Sequence, residues 1–144
     1  MNHLCLGLER ELELEKIRLI METFYPDIKF EDLNEKSIET NNGSFDIGKS
    51  ENSENFNFVL DINFPKNKTV NNETELLIGR TISQNYNMKV LVAGDFYDGA
   101  RFPHSWIIIN SNEFFEAVEQ TNSDGKSWFE IIEKIEITLH NTGL

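Results

Sequence analysis

The sequence predicts an α+β fold, built as a single domain from a mainly antiparallel sheet of about four or five strands packed against three or four helices. The chain has 144 residues, which is long enough to bury a substantial core, and its 11% aromatic content is typical of a folded protein. Two patterns carry the prediction: apolar residues alternate with polar ones in some segments, and they recur every three or four residues in others.

Two hairpins are predicted. The clearest strand covers residues 56–64, where apolar and polar side chains alternate as in a half-buried strand. Pro65 ends this strand, and residues 44–47 are expected to pair with it across an acidic loop. A second hairpin is expected to join the β-rich segments 88–93 and 105–109.

Helical signals begin in the first part of the chain. Residues 8–24 combine helix-forming residues with an apolar stripe that ends before Pro26, and a strand is the alternative there. A second helix is predicted to start at Asn71 or Asn72, either of which can cap it. Gly79 within this helix either weakens it or allows it to pack closely on a neighbour.

The last part of the chain is predicted to be mainly helical. A third helix is expected to follow Ser111 or Asn112 as its cap. Its inner face is expected to consist of Phe114, Phe115 and Val118. The apolar residues of the final segment fit both helical spacing and the two-residue alternation of a strand. We therefore predict a helix in its first part, with a strand as the alternative in its last part.

The charge of the chain is the strongest guide to its function. It has 25 acidic and 13 basic residues and a formal net charge of −12, of which residues 1–64 contribute −8. Binding to phosphates needs clustered Lys and Arg, so we expect no direct contact with nucleic acid and none with an anionic membrane. A large negative charge favours solubility and attracts basic partners.

The single cysteine and the N-terminal sequence predict a cytoplasmic protein. Cys5 has no partner for an intrachain disulfide, which suits a reducing compartment. The first residues lack the cationic start and the long apolar run of a signal peptide, and no apolar run is long enough to span a membrane.

Motifs for metals and cofactors are absent from the sequence. His3, His104 and His140 each lack a second His or Cys at ligand spacing, and no glycine-rich phosphate loop lies between a strand and a helix. We therefore expect neither a metal nor a cofactor.

Residues 95–106 hold the densest set of recognition side chains, with two acids, one Arg, one His, one Ser and four aromatic residues. Loops on a rigid scaffold concentrate binding residues. Catalysis would need His104 as a general base oriented by Asp95 or Asp98. Ser105 would be an alternative nucleophile. Neither arrangement has a supporting spacing, so we predict binding rather than catalysis.

The predicted binding surface combines two loops. Residues 46–55 supply acids, residues 95–102 supply acids and aromatic anchors, and the two loops are expected to share a surface at the ends of their hairpins. The predicted partner-binding residues are Asp46, Glu51, Glu54, Asp95, Tyr97, Asp98, Arg101 and Phe102.

One segment also carries a resemblance. Residues 88–109 combine a Val- and Leu-rich strand, an acidic turn and the sequence Ser-Trp-Ile-Ile-Ile. This pattern, together with the small size and the acidity of the chain, resembles the bacterial immunity proteins that accompany polymorphic toxins, including those of contact-dependent growth inhibition systems. The resemblance implies a non-catalytic protein that binds a basic toxin domain, often a nuclease, and occludes its active or substrate-binding site. A small enzyme that uses residues 95–105 and a non-catalytic adaptor module are the alternatives.

Overall fold

The computed structural model describes residues 2–32, 42–51, 53–94 and 105–139, and within these ranges the chain forms one eight-stranded sheet and two helices. The strands are β1 (His3–Leu8), β2 (Phe30–Asp32), β3 (Gly43–Lys49), β4 (Phe58–Asn63), β5 (Val90–Ala93), β6 (Trp106–Asn110), β7 (Glu113–Thr121) and β8 (Ser127–Ile135). The helices are α1 (Leu14–Phe24) and α2 (Asn72–Tyr86). Neither helix is long and apolar enough to cross a membrane.

The strands lie in the order β2-β3-β4-β1-β5-β6-β7-β8. The pair β2 and β3 is parallel, and all other neighbours in this sheet are antiparallel. Both predicted hairpins are confirmed, because β3 pairs with β4 and β5 pairs with β6. The second helix is also confirmed: Asn71 caps α2, and its side-chain oxygen accepts a hydrogen bond from the Thr74 amide at 3.0 Å.

The predicted fold class is wrong in its proportions. Strands make up 42% of the described residues and helices 22%, so the sheet is larger and the helices fewer than predicted. The segment predicted as a third helix is β7, and the final segment is strand β8 from Ser127 to Ile135. Phe114 packs on one face of the sheet and Phe115 on the other. A strand with apolar residues on both faces therefore imitates helical spacing.

The start of the chain also differs from the prediction. Helix α1 begins at Leu14 rather than near residue 8, and it ends at Phe24, before Pro26 as predicted. The residues ahead of it form β1, whose leucines alternate with His3, Cys5 and Gly7. Ser111, predicted to cap a helix, instead has φ 57° in the turn between β6 and β7, and its amide donates to the Ser83 hydroxyl at 2.7 Å.

Both helices cover the same face of the sheet, which we call the helix face. Apolar residues of α1 and α2 form one buried cluster with Leu4, Leu6 and Leu8 of β1. Helix α2 packs closely through Gly79, where a Cβ atom would lie 2.6 Å from Cδ1 of Ile109, so the close-packing interpretation of this glycine is confirmed. The alternate residues of β1 point to the opposite face, which we call the open face.

The open face is concave. Strand β8 is five places from β4 in the sheet, which is roughly 24 Å in a flat sheet. Asn55 precedes β4 by three residues, a reach of roughly 10 Å, yet its side chain forms hydrogen bonds with Phe129 of β8. The sheet must therefore curl strongly enough to bring β8 over β1 and β4.

Two glycines of β3 provide a matched test of this packing. A Cβ atom on Gly43 would lie 2.4 Å from the Phe30 ring and 3.0 Å from the Asn63 carbonyl oxygen, whereas one on Gly48 would meet nothing within 4 Å. We expect Gly43→Ala to lower the free energy of unfolding by about 1–3 kcal/mol, because both neighbours are fixed. Gly48→Ala should leave it unchanged or raise it by about 0.5 kcal/mol. Urea denaturation of both variants measures this, and equal effects would contradict the packing described.

Candidate functional site

A pocket of about 160 Å³ lies on the open face. Its apolar walls are Gly7, Val59, Leu91, Trp106, Phe56 and Phe129, and its polar rim is Cys5, Ser50, Ser53, Glu119 and Ser127. The Phe129 ring stands edge-on to Phe56 at 5.7 Å and to Trp106 at 5.3 Å, which fixes all three aromatic walls. The pocket is therefore built from β1, β4, β5, β6, β7 and β8 together with the segment between β3 and β4.

That segment closes one side of the pocket. We call its described part, residues 50–51 and 53–57, the strap. The Glu54 amide donates to the Ser127 carbonyl oxygen at 2.8 Å, and the Asn55 side chain both donates to and accepts from the Phe129 backbone at 3.2 Å. The Lys126 ammonium donates to the Glu51 carbonyl oxygen at 2.9 Å. These bonds hold the strap along the start of β8.

Three exposed carboxylates lie on the rim of the pocket and on the strap beside it. Glu51 and Glu54 are exposed on the strap, and Glu119 is exposed on the rim. No Lys or Arg is among the described residues that line the pocket. Lys126 is nearby and keeps its positive charge when its ammonium group donates to the Glu51 carbonyl oxygen, but the three carboxylates outnumber it. The mouth of the pocket therefore has a negative potential next to an apolar interior.

A polar row continues the open face beyond the pocket. Asp46 of β3, Asp61 of β4 and Cys5 of β1 lie opposite one another in the sheet. An oxygen of Asp61 lies 3.0 Å from Nε2 of His3, and Asp61 accepts a hydrogen bond from the Cys5 thiol. Two cross-strand carboxylates in one row add to the negative charge of this face.

The thiol of Cys5 is not activated for nucleophilic chemistry. The residue is exposed, but its surroundings in the pocket displace water, and this desolvation together with the Asp61 charge raises the pKa of the thiol to about 11. A reactive cysteine needs a lowered pKa, because the thiolate is the nucleophile. The arrangement of His3, Cys5 and Asp61 therefore holds a protonated thiol.

A buried carboxyl group lies behind this row, where β1 and β5 separate. The two strands pair only at Gly7 and Leu8, and beyond that point Glu75 of α2 accepts hydrogen bonds from the backbone amides of Cys5 and Ala93. Burial raises the pKa of Glu75 to about 7, since desolvation outweighs these bonds and the favourable charge of His3. Glu75 thus substitutes for the missing part of the β1–β5 ladder.

The structure brings three of the predicted partner-binding residues to one face. Asp46 lies in the polar row, within β3 rather than in a loop, and Glu51 and Glu54 lie on the strap. The other five, Asp95, Tyr97, Asp98, Arg101 and Phe102, lie outside the described residues, as does His104. Ser105, the alternative nucleophile, is only 3% exposed. The shared surface predicted for the two loops is therefore untested beyond the strap.

Sequence reasoning missed the residues that complete the site. Phe129 and Glu119 lie in the segments predicted as helices, and Gly7 lies just before the predicted first helix. The alternation of leucines in β1 was the available signal for Gly7 and Cys5. No local signal indicates that the strap reaches β8, because that contact joins residues more than 70 positions apart.

A second hollow, of about 440 Å³, lies where the end of α1 meets the connection between β4 and α2. It is larger, but the Lys68 ammonium in its wall already lies 5.1 Å from the centre of the Tyr25 ring. None of the predicted partner-binding residues lines it. We therefore place the candidate site at the pocket beneath the strap.

Within the described ranges, no three His, Cys, Asp or Glu side chains come together closely enough to hold a metal ion. No protein-family model, curated protein or solved structure matches the chain.

Glu75 gives the first testable property of this region. A raised folded-state pKa means that its contribution to stability is complete below the ordinary pKa of 4.5 and is lost as the pH rises through about 7. Between about pH 5.5 and pH 8, native stability should therefore fall by about 2 kcal/mol relative to Glu75→Gln. Urea denaturation across this range measures the difference. Glu73→Gln, nearer the surface of α2, is the control, and its free energy of unfolding should fall with pH as in the native protein. If the free energy of unfolding of Glu75→Gln fell equally, the raised pKa of Glu75 would be contradicted.

The reactivity of Cys5 is the second testable property of this region. Because its pKa is raised, we expect the native thiol to react with an aromatic disulfide reagent at about pH 8 roughly tenfold more slowly, or slower still, than free cysteine. Asp61→Asn removes a nearby negative charge and should accelerate the reaction. Asp46→Asn is the matched control and should change the rate less. A native thiol as fast as free cysteine would rule out the environment described here.

Proposed function

We propose that the protein is a cytoplasmic immunity protein that binds a basic toxin domain, in many cases a nuclease, and occludes its active or substrate-binding site. The observation that carries this proposal is the combination on the open face of exposed carboxylates with an apolar pocket. Carboxylates attract a basic partner over long distances and increase the association rate, whereas a pocket with rigid aromatic walls gives short-range affinity.

The chemistry of the site supports binding over catalysis. The cysteine on the open face is protonated, and the carboxylates around the pocket are surface groups that suit ionic contacts with Lys and Arg. A nuclease must expose a cationic cleft to bind the phosphates of its substrate. An acidic surface that covers this cleft would compete directly with the substrate. The charge of −12 on the whole chain adds to this attraction.

The proposal is tested with the product of the reading frame immediately upstream of this gene. Expression of that product alone should arrest growth, and co-expression of this protein should restore it. Calorimetry of the purified pair should show tight binding at low salt that weakens as salt is added. If the upstream product is toxic but neither binds nor is neutralised, the proposal is wrong. Binding without protection would favour the adaptor alternative.

Charge-reversed variants locate the contact. Glu51→Lys combined with Glu54→Lys reverses both strap carboxylates and should reduce the association rate by about tenfold or more at low salt. Glu11→Lys combined with Glu136→Lys makes the same change in net charge at exposed positions outside the open-face site. A surface plasmon resonance measurement in which both pairs had equal effects would show that net charge, and not the strap, governs the association.

A further inference from the structure

We propose that the pocket beneath the strap receives one aromatic or large aliphatic side chain of the partner, from a short segment in which basic residues flank that side chain. This inference rests on the proposed function and specifies how the partner is recognised. Charged surfaces determine how fast proteins meet, but a buried anchor side chain commonly dominates the affinity of the complex.

The size of the pocket selects the occupant. Its volume is about 160 Å³. Sites for metabolites and cofactors are usually larger, about 300–1,000 Å³. An apolar cavity of about 150 Å³, by contrast, takes a single benzene ring. The pocket therefore has room for one ring-sized group, which is the size of a single anchor side chain.

The walls and the rim define the chemistry of that side chain. Trp106 and Phe129 present aromatic surface, and Val59 and Leu91 present aliphatic surface, so an apolar group gains free energy by leaving water there. Glu119 stands on the rim and Glu51 and Glu54 are exposed on the strap, with no Lys or Arg among the described lining residues. Positive charges on either side of the apolar group would match this rim, whereas negative charges would be repelled.

The strap holds the pocket in its formed shape. Its hydrogen bonds to Ser127 and Phe129 hold Phe56 against the Phe129 ring, so the pocket is already formed in the free protein. A preformed pocket orders fewer groups when it binds, which lowers the cost of binding. A second copy of this chain fits poorly, because two acidic rims would face each other.

Three peptides serve as probes, with the intact protein labelled for ¹H–¹⁵N NMR: Ac-Lys-Phe-Lys-NH₂, Ac-Lys-Ala-Lys-NH₂ and Ac-Glu-Phe-Glu-NH₂. We expect the first to shift the backbone signals of Gly7, Trp106 and Phe129 in a saturable way, with a Kd on the order of 1 mM. The alanine peptide should bind at least about tenfold more weakly, because it lacks the ring. The glutamate peptide should also bind more weakly, because its charges oppose the rim.

Variants test the location. Val59→Phe fills the pocket from β4 and should abolish the saturable shifts; Ser50→Leu fills it from the rim and replaces the first variant if that one does not fold. Glu119→Gln should weaken the lysine–phenylalanine peptide by roughly two- to fivefold, the usual effect of one exposed ion pair. Glu136→Gln, an exposed carboxylate that does not line the pocket, should have no effect.

The outcomes separate this inference from the proposed function. Saturable shifts that need the ring, the lysines and an unfilled pocket would support it. It is overturned if the phenylalanine peptide gives no saturable shift, if the alanine peptide binds equally well, or if filled pockets bind like the native one. Pocket signals that move with protein concentration alone, together with a dimer in sedimentation, would show that a second copy occupies the pocket. If the protein neutralises the toxin but does not bind the peptide, the inference about the pocket is wrong and the proposed function stands. If the peptide binds but the toxin is not neutralised, the inference about the pocket stands and the proposed function is wrong.

Discussion

The architecture depends on one constraint: within the described residues, the eight-stranded sheet has two faces, and the two helices cover only one of them. The helix face is sealed by leucines, isoleucines and phenylalanines of the sheet packed against α1 and α2. The open face carries apolar residues of its own, including Leu91 and Ile108, which would be costly to leave in water. The sheet meets this constraint by curling, so that Phe129 of β8 and Phe56 of the strap cover these residues.

The same solution creates the candidate site. The strap joins β3 to β4 but leaves the sheet between them to contact the start of β8, and its exposed carboxylates are thereby held next to an apolar interior. Where strand pairing is incomplete, a side chain replaces it: Glu75 satisfies the amides of Cys5 and Ala93 at the point where β1 and β5 separate. The strap therefore accounts for the acidic and apolar surfaces beside the pocket, and Glu75 accounts for the buried carboxyl group behind the polar row.

The sequence predicts local features well and distant ones poorly. The alternating residues of β4, the cap at Asn71 and the stop before Pro26 act through neighbours in the chain, and the structure contains all three. The proportion of strands was underestimated, because β7 and β8 have apolar residues on both faces and so imitate a helix. Among the site residues, Asp46, Glu51 and Glu54 were predicted from charge alone. The contact of the strap with Phe129, made by Asn55, depends on the curl of the sheet, which no local pattern encodes.

The central claim is that the open face, and not the helix face, binds the partner. Hydrogen–deuterium exchange of the complex with the upstream gene product tests it most directly. We predict slower exchange in the strap and in β7 and β8, where the amides surround the pocket, with α1 exchanging as in the free protein. Protection that appeared on α1 and α2 while the strap and β8 exchanged unchanged would contradict the account.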